Sequence, residues 1–133
     1  MLPGANSYLA SLIPSIAHIT GFKENLEVAE LAAKTVLELP ASIGKQAARA
    51  GLALMAVIKD DAESAIDYYA TLEVDPSTLT SLFTSPISVG GHLMGLMSHT
   101  TGDRDRASAL FEDALTFCRN AGYKPEQAWT CCD

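Results

Sequence analysis

Aromatic side chains and basic residues are both scarce in this chain. Only 7% of its 133 residues are aromatic, although 48% are hydrophobic. This composition favours alanine- and leucine-rich helix packing over a β-sandwich. Nine basic residues stand against sixteen acidic ones, which gives a net charge of -7, so nucleic acid would meet a repulsive field. Direct binding of nucleic acid is therefore not expected.

Cysteines and long apolar runs are also few. Cys118, Cys131 and Cys132 lie near one end without a C-x-x-C spacing, so buried, inert thiols are expected rather than disulfides or a zinc site. The longest small-and-apolar stretch covers residues 50–58, far short of the ~20 residues of a membrane span. The first residues lack the pattern of a signal peptide. We therefore expect a soluble, cytoplasmic protein without membrane contact.

Motifs that carry chemistry are missing as well. The sequence contains no P-loop and no G-x-S-x-G, G-x-G-x-x-G or H-E-x-x-H pattern. Its acidic pairs, Asp60-Asp61 and Asp103-x-Asp105, come just before predicted helices, where carboxylates accept hydrogen bonds from free backbone N–H groups. Capping explains them better than acid–base catalysis. The prediction is a chain without enzymatic activity, cofactor or metal site.

Residues 102–122 have the strongest helical pattern. Apolar residues recur there at three- and four-residue spacing with charged residues between them, which predicts an amphipathic helix that Gly122 ends. Its buried side is expected to comprise Ala107, Leu110, Phe111, Ala114, Leu115 and Cys118. Its exposed side is expected to comprise Arg104, Asp105, Glu112, Asp113 and Arg119.

Further segments have weaker patterns of the same kind. The first predicted helix has Asn6 or Ser7 as its N-cap and is kinked or delimited by Pro14. Its apolar side is formed by Tyr8, Leu9, Leu12, Ile13, Ile16 and Ile19. The other predicted helices span residues 23–39, 42–59, 62–72, 88–101 and 125–133. Residues 74–86 are rich in Ser, Thr and Pro and are expected to form a connector that docks through three apolar side chains.

A ridge that starts with an alanine and continues four and seven residues later recurs three times. It consists of Ala29-x-x-x-Ala33-x-x-Val36, Ala65-x-x-x-Tyr69-x-x-Leu72 and Ala107-x-x-x-Phe111-x-x-Ala114, and the copies start thirty-six and forty-two residues apart. This spacing is close to the tetratricopeptide period of ~34 residues. It predicts an all-α fold of stacked antiparallel helical hairpins, a tetratricopeptide-like α-solenoid of six to seven helices. The whole chain, residues 1–133, would be one domain with hairpins at 7–40, 42–73 and 87–122 and the start of a further helix at 125–133.

Two blocks resemble a known group of proteins. Residues 6–40, NSYLASLIPSIAHITGFKENLEVAELAAKTVLELP, and 111–133, FEDALTFCRNAGYKPEQAWTCCD, are similar to the helical-repeat region of large bacterial signal-transduction ATPases. These proteins are LuxR-type regulators and adenylate/guanylate-cyclase-associated proteins. The resemblance implies a regulatory or scaffolding segment that binds effectors, partner proteins or other domains. It also implies that the chain is a piece of a longer array, with the ATPase and output domains elsewhere.

The predicted solenoid has a concave surface on which a partner would bind. That face is expected to include Ala50, Leu54, Val57, His92, Leu96 and His99. Its few polar side chains favour an apolar or helical protein ligand over the terminal carboxylate of a peptide. The histidines, with His18, could instead form a polar strip or weak metal site, but half-exposed helix residues are the simpler interpretation.

Two functions stay open at this point. The first is a non-catalytic protein-interaction module of a bacterial signalling or transcription-regulatory protein. The alternative is a structural spacer or oligomerisation segment without a ligand of its own, which self-associates through uncovered end hairpins.

Overall fold

A computed structural model of the protein describes residues 3–40, 44–71, 90–122 and 124–132. These residues form seven α-helices and no β-strand, so the all-α prediction is confirmed. The helices are α1 (Pro3–Thr20), α2 (Leu26–Glu38), α3 (Lys45–Ile58), α4 (Ala62–Thr71), α5 (Gly90–Thr100), α6 (Arg104–Ala121) and α7 (Lys124–Cys132). The predicted connector at 74–86 lies outside the described residues.

The even-numbered helices keep the spacing of the sequence ridges. Helices α2, α4 and α6 begin at Leu26, Ala62 and Arg104, which are again thirty-six and forty-two residues apart. The leading alanines of the three ridges are all buried, with exposed fractions of 0%, 0% and 4% at positions 29, 65 and 107. The ridge therefore marks the same place in each of the three helices.

Asn25, Asp61 and Asp103 directly precede these three helices at the same two spacings, but their side chains act differently. Asp61 accepts a hydrogen bond from the backbone N–H of Ser64 at 3.1 Å, and Asp103 accepts one from that of Arg106 at 3.0 Å. The predicted capping role is thus confirmed for both carboxylates. Asn25, the residue before α2, has a left-handed backbone conformation with a φ of 65°, and its side chain does not cap the helix.

The helices pack in a regular order. Each helix contacts the next one along the chain, and α3 also packs on α1 and on α5. We call α1 and α2 the first hairpin, α3 and α4 the second, and α5 and α6 the third. One apolar cluster joins the first hairpin to α3. Another joins α3 to α5 and α6, with Tyr69 and Phe111 packed against it.

Two glycines set how closely these helices approach. A Cβ atom on Gly51 of α3 would overlap the backbone carbonyl group of Ala10 in α1. A Cβ atom on Gly95 of α5 would lie 2.6 Å from the Phe111 ring of α6. A small residue of α3 thus admits the backbone of α1, and Gly95 lets α6 lie close to α5.

The first two helices start at other residues than predicted. Helix α1 begins at Pro3, not after an N-cap at Asn6 or Ser7, and it continues through Pro14. A proline fits the first turn of a helix because its missing N–H would have no partner there. Helix α2 begins at Leu26, three residues later than predicted, because left-handed Asn25 interrupts the helical backbone.

Helix α6 has the predicted two sides. Five of its six predicted apolar residues are buried and Phe111 is half-buried, while all five predicted charged residues are exposed. Gly122 ends the helix with a φ of 73°, a conformation that glycine adopts without the steric cost of a side chain. The two-sided helix and its end at Gly122 are confirmed, with Phe111 less buried than predicted.

Candidate interaction surfaces

The six residues predicted to form a binding face lie in three kinds of surroundings. Ala50, Leu54, His92 and Leu96 are buried, with exposed fractions of 5%, 2%, 0% and 5%, whereas Val57 is half-buried and His99 is exposed. Three of the buried residues belong to the apolar cluster between α3, α5 and α6. This placement corrects the expected one, because four of the six side chains are interior.

The three histidines do not share one surface. His18 is half-buried on α1, His92 is fully buried, and His99 is exposed. The His92 ring stands edge-on to the Phe111 ring at a centroid distance of 6.2 Å, the geometry that aromatic pairs prefer. Within the described ranges, no three His, Cys, Asp or Glu side chains are grouped to hold a metal ion. The histidines thus form no common strip.

The cysteines divide in a similar way. Cys118 is buried beside Ala114 on α6, as expected. Cys131 and Cys132 are exposed near the end of α7, so the expectation that they are buried is wrong. Successive residues on a helix point ~100° apart, and here neither of the two directions leads into the interior.

Helix α1 presents its large apolar residues to the outside. We call Tyr8, Leu12, Ile16 and Ile19 the α1 stripe; their exposed fractions are 54%, 38%, 53% and 55%. These four residues of the apolar side of α1 do not face the core, while Leu9 and Ile13 pack at the edge of the core. The buried side of α1 consists instead of Ala10, Ser11, Pro14, Ser15 and Ala17.

Small residues occupy the core side of α1 because the backbones of α1 and α3 come into contact where the two helices cross. A longer side chain beside Gly51 would hold the two helices apart. Burial of Ser15 leaves no unpaired donor, since its hydroxyl donates to the carbonyl of Ser11 at 2.8 Å. The signal for this arrangement was present in the sequence as small residues at three- and four-residue spacing on the face opposite the α1 stripe.

The large exposed apolar side chains are concentrated on the first hairpin. Besides the α1 stripe they include Phe22, 71% exposed, and Val28 and Leu31 of α2, 47% and 68% exposed. Elsewhere among the described residues, Ile66 of α4 is the large hydrophobic residue with comparable exposure, at 58%. Helix α1 also contains no Asp, Glu, Lys or Arg over its 18 residues. Large apolar side chains exposed along one face of a helix, as in the α1 stripe, are typical of an interaction surface.

A polar cluster lies where α2, α3 and α4 meet. The Glu30 carboxylate accepts hydrogen bonds from Lys34 Nζ at 2.7 Å and from Lys59 Nζ at 3.1 Å. These bonds, that of Lys34 first, lower the pKa of Glu30. Lys59 directly follows α3, so its ion pair ties the first hairpin to the second. A cleft beside this ion pair is lined in part by Tyr68, and burial raises the pKa of the Tyr68 hydroxyl.

A second polar contact joins the next two hairpins. The guanidinium Nε of Arg106 in α6 donates a hydrogen bond to the Tyr69 hydroxyl of α4 at 3.2 Å. Both polar contacts link neighbouring hairpins at their exposed edges, and both use groups that are already paired. The two contacts stabilise the packing of the hairpins, and the groups that form them are engaged with each other rather than available for catalysis.

Comparison of the chain with protein-family models, with curated proteins and with solved structures found no match. The class of protein therefore follows from the fold, which is an all-α arrangement of consecutively packed hairpins. No helix in the described part of the chain is both long and apolar enough to cross a lipid bilayer. The most distinctive surface feature is the apolar first hairpin.

Proposed function

We propose that this chain is a non-catalytic helical-repeat module for protein–protein interaction, built of stacked hairpins. The observation that supports the proposal most directly is that the sequence repeats and the helices have the same spacing along the chain. The ridge alanines at 29, 65 and 107 and the starts of α2, α4 and α6 follow the same two spacings. Repeated hairpins of this kind stack because no single hairpin can bury its own apolar face.

The order of helix contacts supports the same proposal. Each odd-numbered helix up to α5 packs on its own hairpin partner, and α3 and α5 each pack also on both helices of the hairpin before. Apolar clusters fill both junctions. A solenoid of tetratricopeptide-like hairpins has this neighbour pattern, and such solenoids commonly present extended surfaces to other proteins.

The proposed setting is a bacterial signalling or transcription-regulatory protein that works in the cytoplasm. The resemblance of residues 6–40 and 111–133 to the repeat regions of signal-transduction ATPases supports this setting. The partner would be another protein or another domain of a larger one. The exposed apolar side chains of the first hairpin are the surface through which we expect that partner to bind.

The alternative function is a spacer or oligomerisation segment. One observation favours it: α1 carries no Asp, Glu, Lys or Arg, although the chain as a whole has a net charge of -7. Two copies could therefore meet along α1 without opposing carboxylates on that helix. Analytical ultracentrifugation separates the two functions, since a stable dimer at micromolar concentration would favour oligomerisation over a separate partner.

Affinity capture with matched variants tests the interaction function. The immobilised chain is exposed to extract of the cells that produce it, in parallel with Ile16→Glu and Ile66→Glu. Both isoleucines are more than half exposed, so either charge is tolerated by the fold. We expect a protein that is retained by the unchanged chain and by Ile66→Glu and is lost with Ile16→Glu. Equal capture by all three forms would contradict a role of the first hairpin.

A further inference from the structure

The α1 stripe has counterparts in the other two hairpins. A shift of thirty-six residues, which superposes Ala29 on Ala65, places Leu12, Ile16 and Ile19 on Ala48, Leu52 and Met55 of α3. The next shift of forty-two residues places Leu52 and Met55 on Met94 and Met97 of α5. At two positions, those of Ile16 and Ile19, the same side of each odd-numbered helix thus carries a large apolar residue.

In α3 and α5 these positions are covered by the preceding hairpin. Ala48, Leu52 and Met55 have exposed fractions of 0%, 6% and 2% and belong to the apolar cluster shared with α1 and α2. Met94 and Met97 are 7% and 0% exposed and pack in the cluster shared with α3. The counterparts on α1 are between 38% and 55% exposed. What differs at α1 is that no described hairpin packs on these positions.

The structure also shows what kind of surface covers these positions. Where Leu52 and Met55 pack on the first hairpin, the cluster residues of α1 and α2 are mostly small. The buried ones are Ala10, Ala17, Ala29, Ala32, Ala33, Val36 and Leu26, and the larger Leu9, Ile13 and Leu37 pack half-buried at the edge of the cluster. Large side chains on one side of the junction therefore meet a ridge of alanines on the other. Interiors reach native packing density through such interdigitation of large and small residues.

From this equivalence we infer that the α1 stripe is the docking face for one further helical hairpin of the same repeat type, outside these 133 residues. That hairpin presents an alanine-rich ridge to Leu12, Ile16 and Ile19, as the first hairpin does to α3. The inference rests on the proposed stacking of hairpins and specifies the partner. A second copy of the chain fits less well, because two α1 stripes would oppose large side chains to large ones.

An extended chain tests the docking directly. Placing a copy of residues 3–44 ahead of residue 9 keeps the thirty-six-residue spacing and puts the alanine ridge of the added hairpin next to the natural stripe. Hydrogen exchange is then compared between this extended chain and the natural one. We expect amide exchange in natural α1 to slow by at least about tenfold, because burial of two half-exposed isoleucines corresponds to a factor of that order or more.

Matched variants show whether the stripe is responsible. In the extended chain, Ile16→Glu at the natural position, with the added copy left unchanged, should abolish the added protection. Ile66→Glu should leave that protection unchanged. Binding of a hydrophobic dye gives a second readout: the natural chain should bind it and Ile16→Glu should reduce that binding, whereas the added hairpin, which brings its own copy of the stripe, should leave it unchanged.

The outcomes also separate failure of this inference from failure of the proposed function. If α3 is protected in both chains but α1 gains no protection, the docking inference is wrong while stacking of the described hairpins stands. If α3 itself exchanges freely in the natural chain, the stacking proposal fails with it. If the natural chain sediments as a dimer that Ile16→Glu dissociates, the occupant is a second copy and the hairpin inference is overturned.

Discussion

The backbone of Gly51 in α3 lies so close to the carbonyl group of Ala10 in α1 that a methyl group does not fit between them. This contact fixes the crossing of the first two odd-numbered helices. It also explains why the core side of α1 carries alanine and serine. The larger side chains of α1 are consequently left on the opposite side, where they form the exposed stripe.

Replacing Gly51 by alanine should destabilise the protein. Alanine in a helix gains about 1 kcal/mol over glycine, but an added methyl group here meets a backbone carbonyl, and overpacking costs about 1–3 kcal/mol or more. We expect a net loss in the free energy of unfolding measured by urea denaturation. An unchanged or higher stability would show that α1 and α3 do not cross at this point.

Gly95 is the matched control for that substitution. Its added methyl group would meet the Phe111 side chain rather than a backbone atom, and a side-chain ring can move aside more easily than a backbone carbonyl. Gly95→Ala should therefore cost less than Gly51→Ala. Adding Phe111→Leu to Gly95→Ala should recover part of the loss, whereas the same addition to Gly51→Ala should recover nothing.

Leu52 and Ile16 occupy equivalent repeat positions and should respond differently to truncation. Leu52 is 6% exposed and Ile16 is 53% exposed. Leu52→Ala should lower the free energy of unfolding by about 2–5 kcal/mol, as core truncations do, while Ile16→Ala should change it by less than about 0.5 kcal/mol. Thermal and urea unfolding of both variants measure this. Similar losses for the two would contradict the exposed position of the α1 stripe.

Removing the charge of Glu30 should weaken the link between the first two hairpins. Lys34 and Lys59 both bind its carboxylate, yet the three side chains are 34% to 62% exposed, so solvent screens the pairs. Glu30→Gln should therefore cost less than about 1 kcal/mol near neutral pH. The difference should shrink in high salt. Lys59→Ala should reproduce it more fully than Lys34→Ala if the cross-hairpin contact dominates.

The same substitution has a predictable pH dependence. Hydrogen bonds from Lys34 and Lys59 lower the folded-state pKa of Glu30 from its ordinary value of 4.5. A carboxylate with a depressed folded-state pKa contributes stability above its unfolded pKa and loses that contribution as the pH falls through the folded one. The stability difference between the natural protein and Glu30→Gln should thus vanish as the pH falls below 4.5. A difference that persists at lower pH would contradict this origin.

Asp103 should matter to α6 as a cap. Its carboxylate accepts the hydrogen bond of the Arg106 N–H at 3.0 Å, so Asp103→Ala should cost about 1 kcal/mol of unfolding free energy. Asp103→Asn retains an acceptor oxygen and should cost clearly less. Circular dichroism during urea unfolding provides the measurement. An equal loss for both variants would indicate a role for the charge rather than for the cap.

Much of the fold was predictable from the pattern of residues along the chain. The spacing of Ala29, Ala65 and Ala107 predicted the all-α class, and the alternation of apolar and charged residues predicted both sides of α6. Turn residues predicted where that helix ends, and Asp61 and Asp103 were correctly interpreted as caps. These features depend on local backbone geometry and on helical periodicity, and both are determined by residues that are close in sequence.

The sequence by itself thus determined the helices, their approximate bounds and their repeating order. Only the tertiary structure decided which face of α1 turns inward, because neither face carries an Asp, Glu, Lys or Arg and the choice depends on the close crossing of Gly51 and Ala10. It likewise placed Ala50, Leu54, His92 and Leu96 in the interior, where a helical pattern alone had placed them on a binding surface. Periodicity gives the direction of a side chain around its own helix, whereas burial depends on which neighbour lies in that direction.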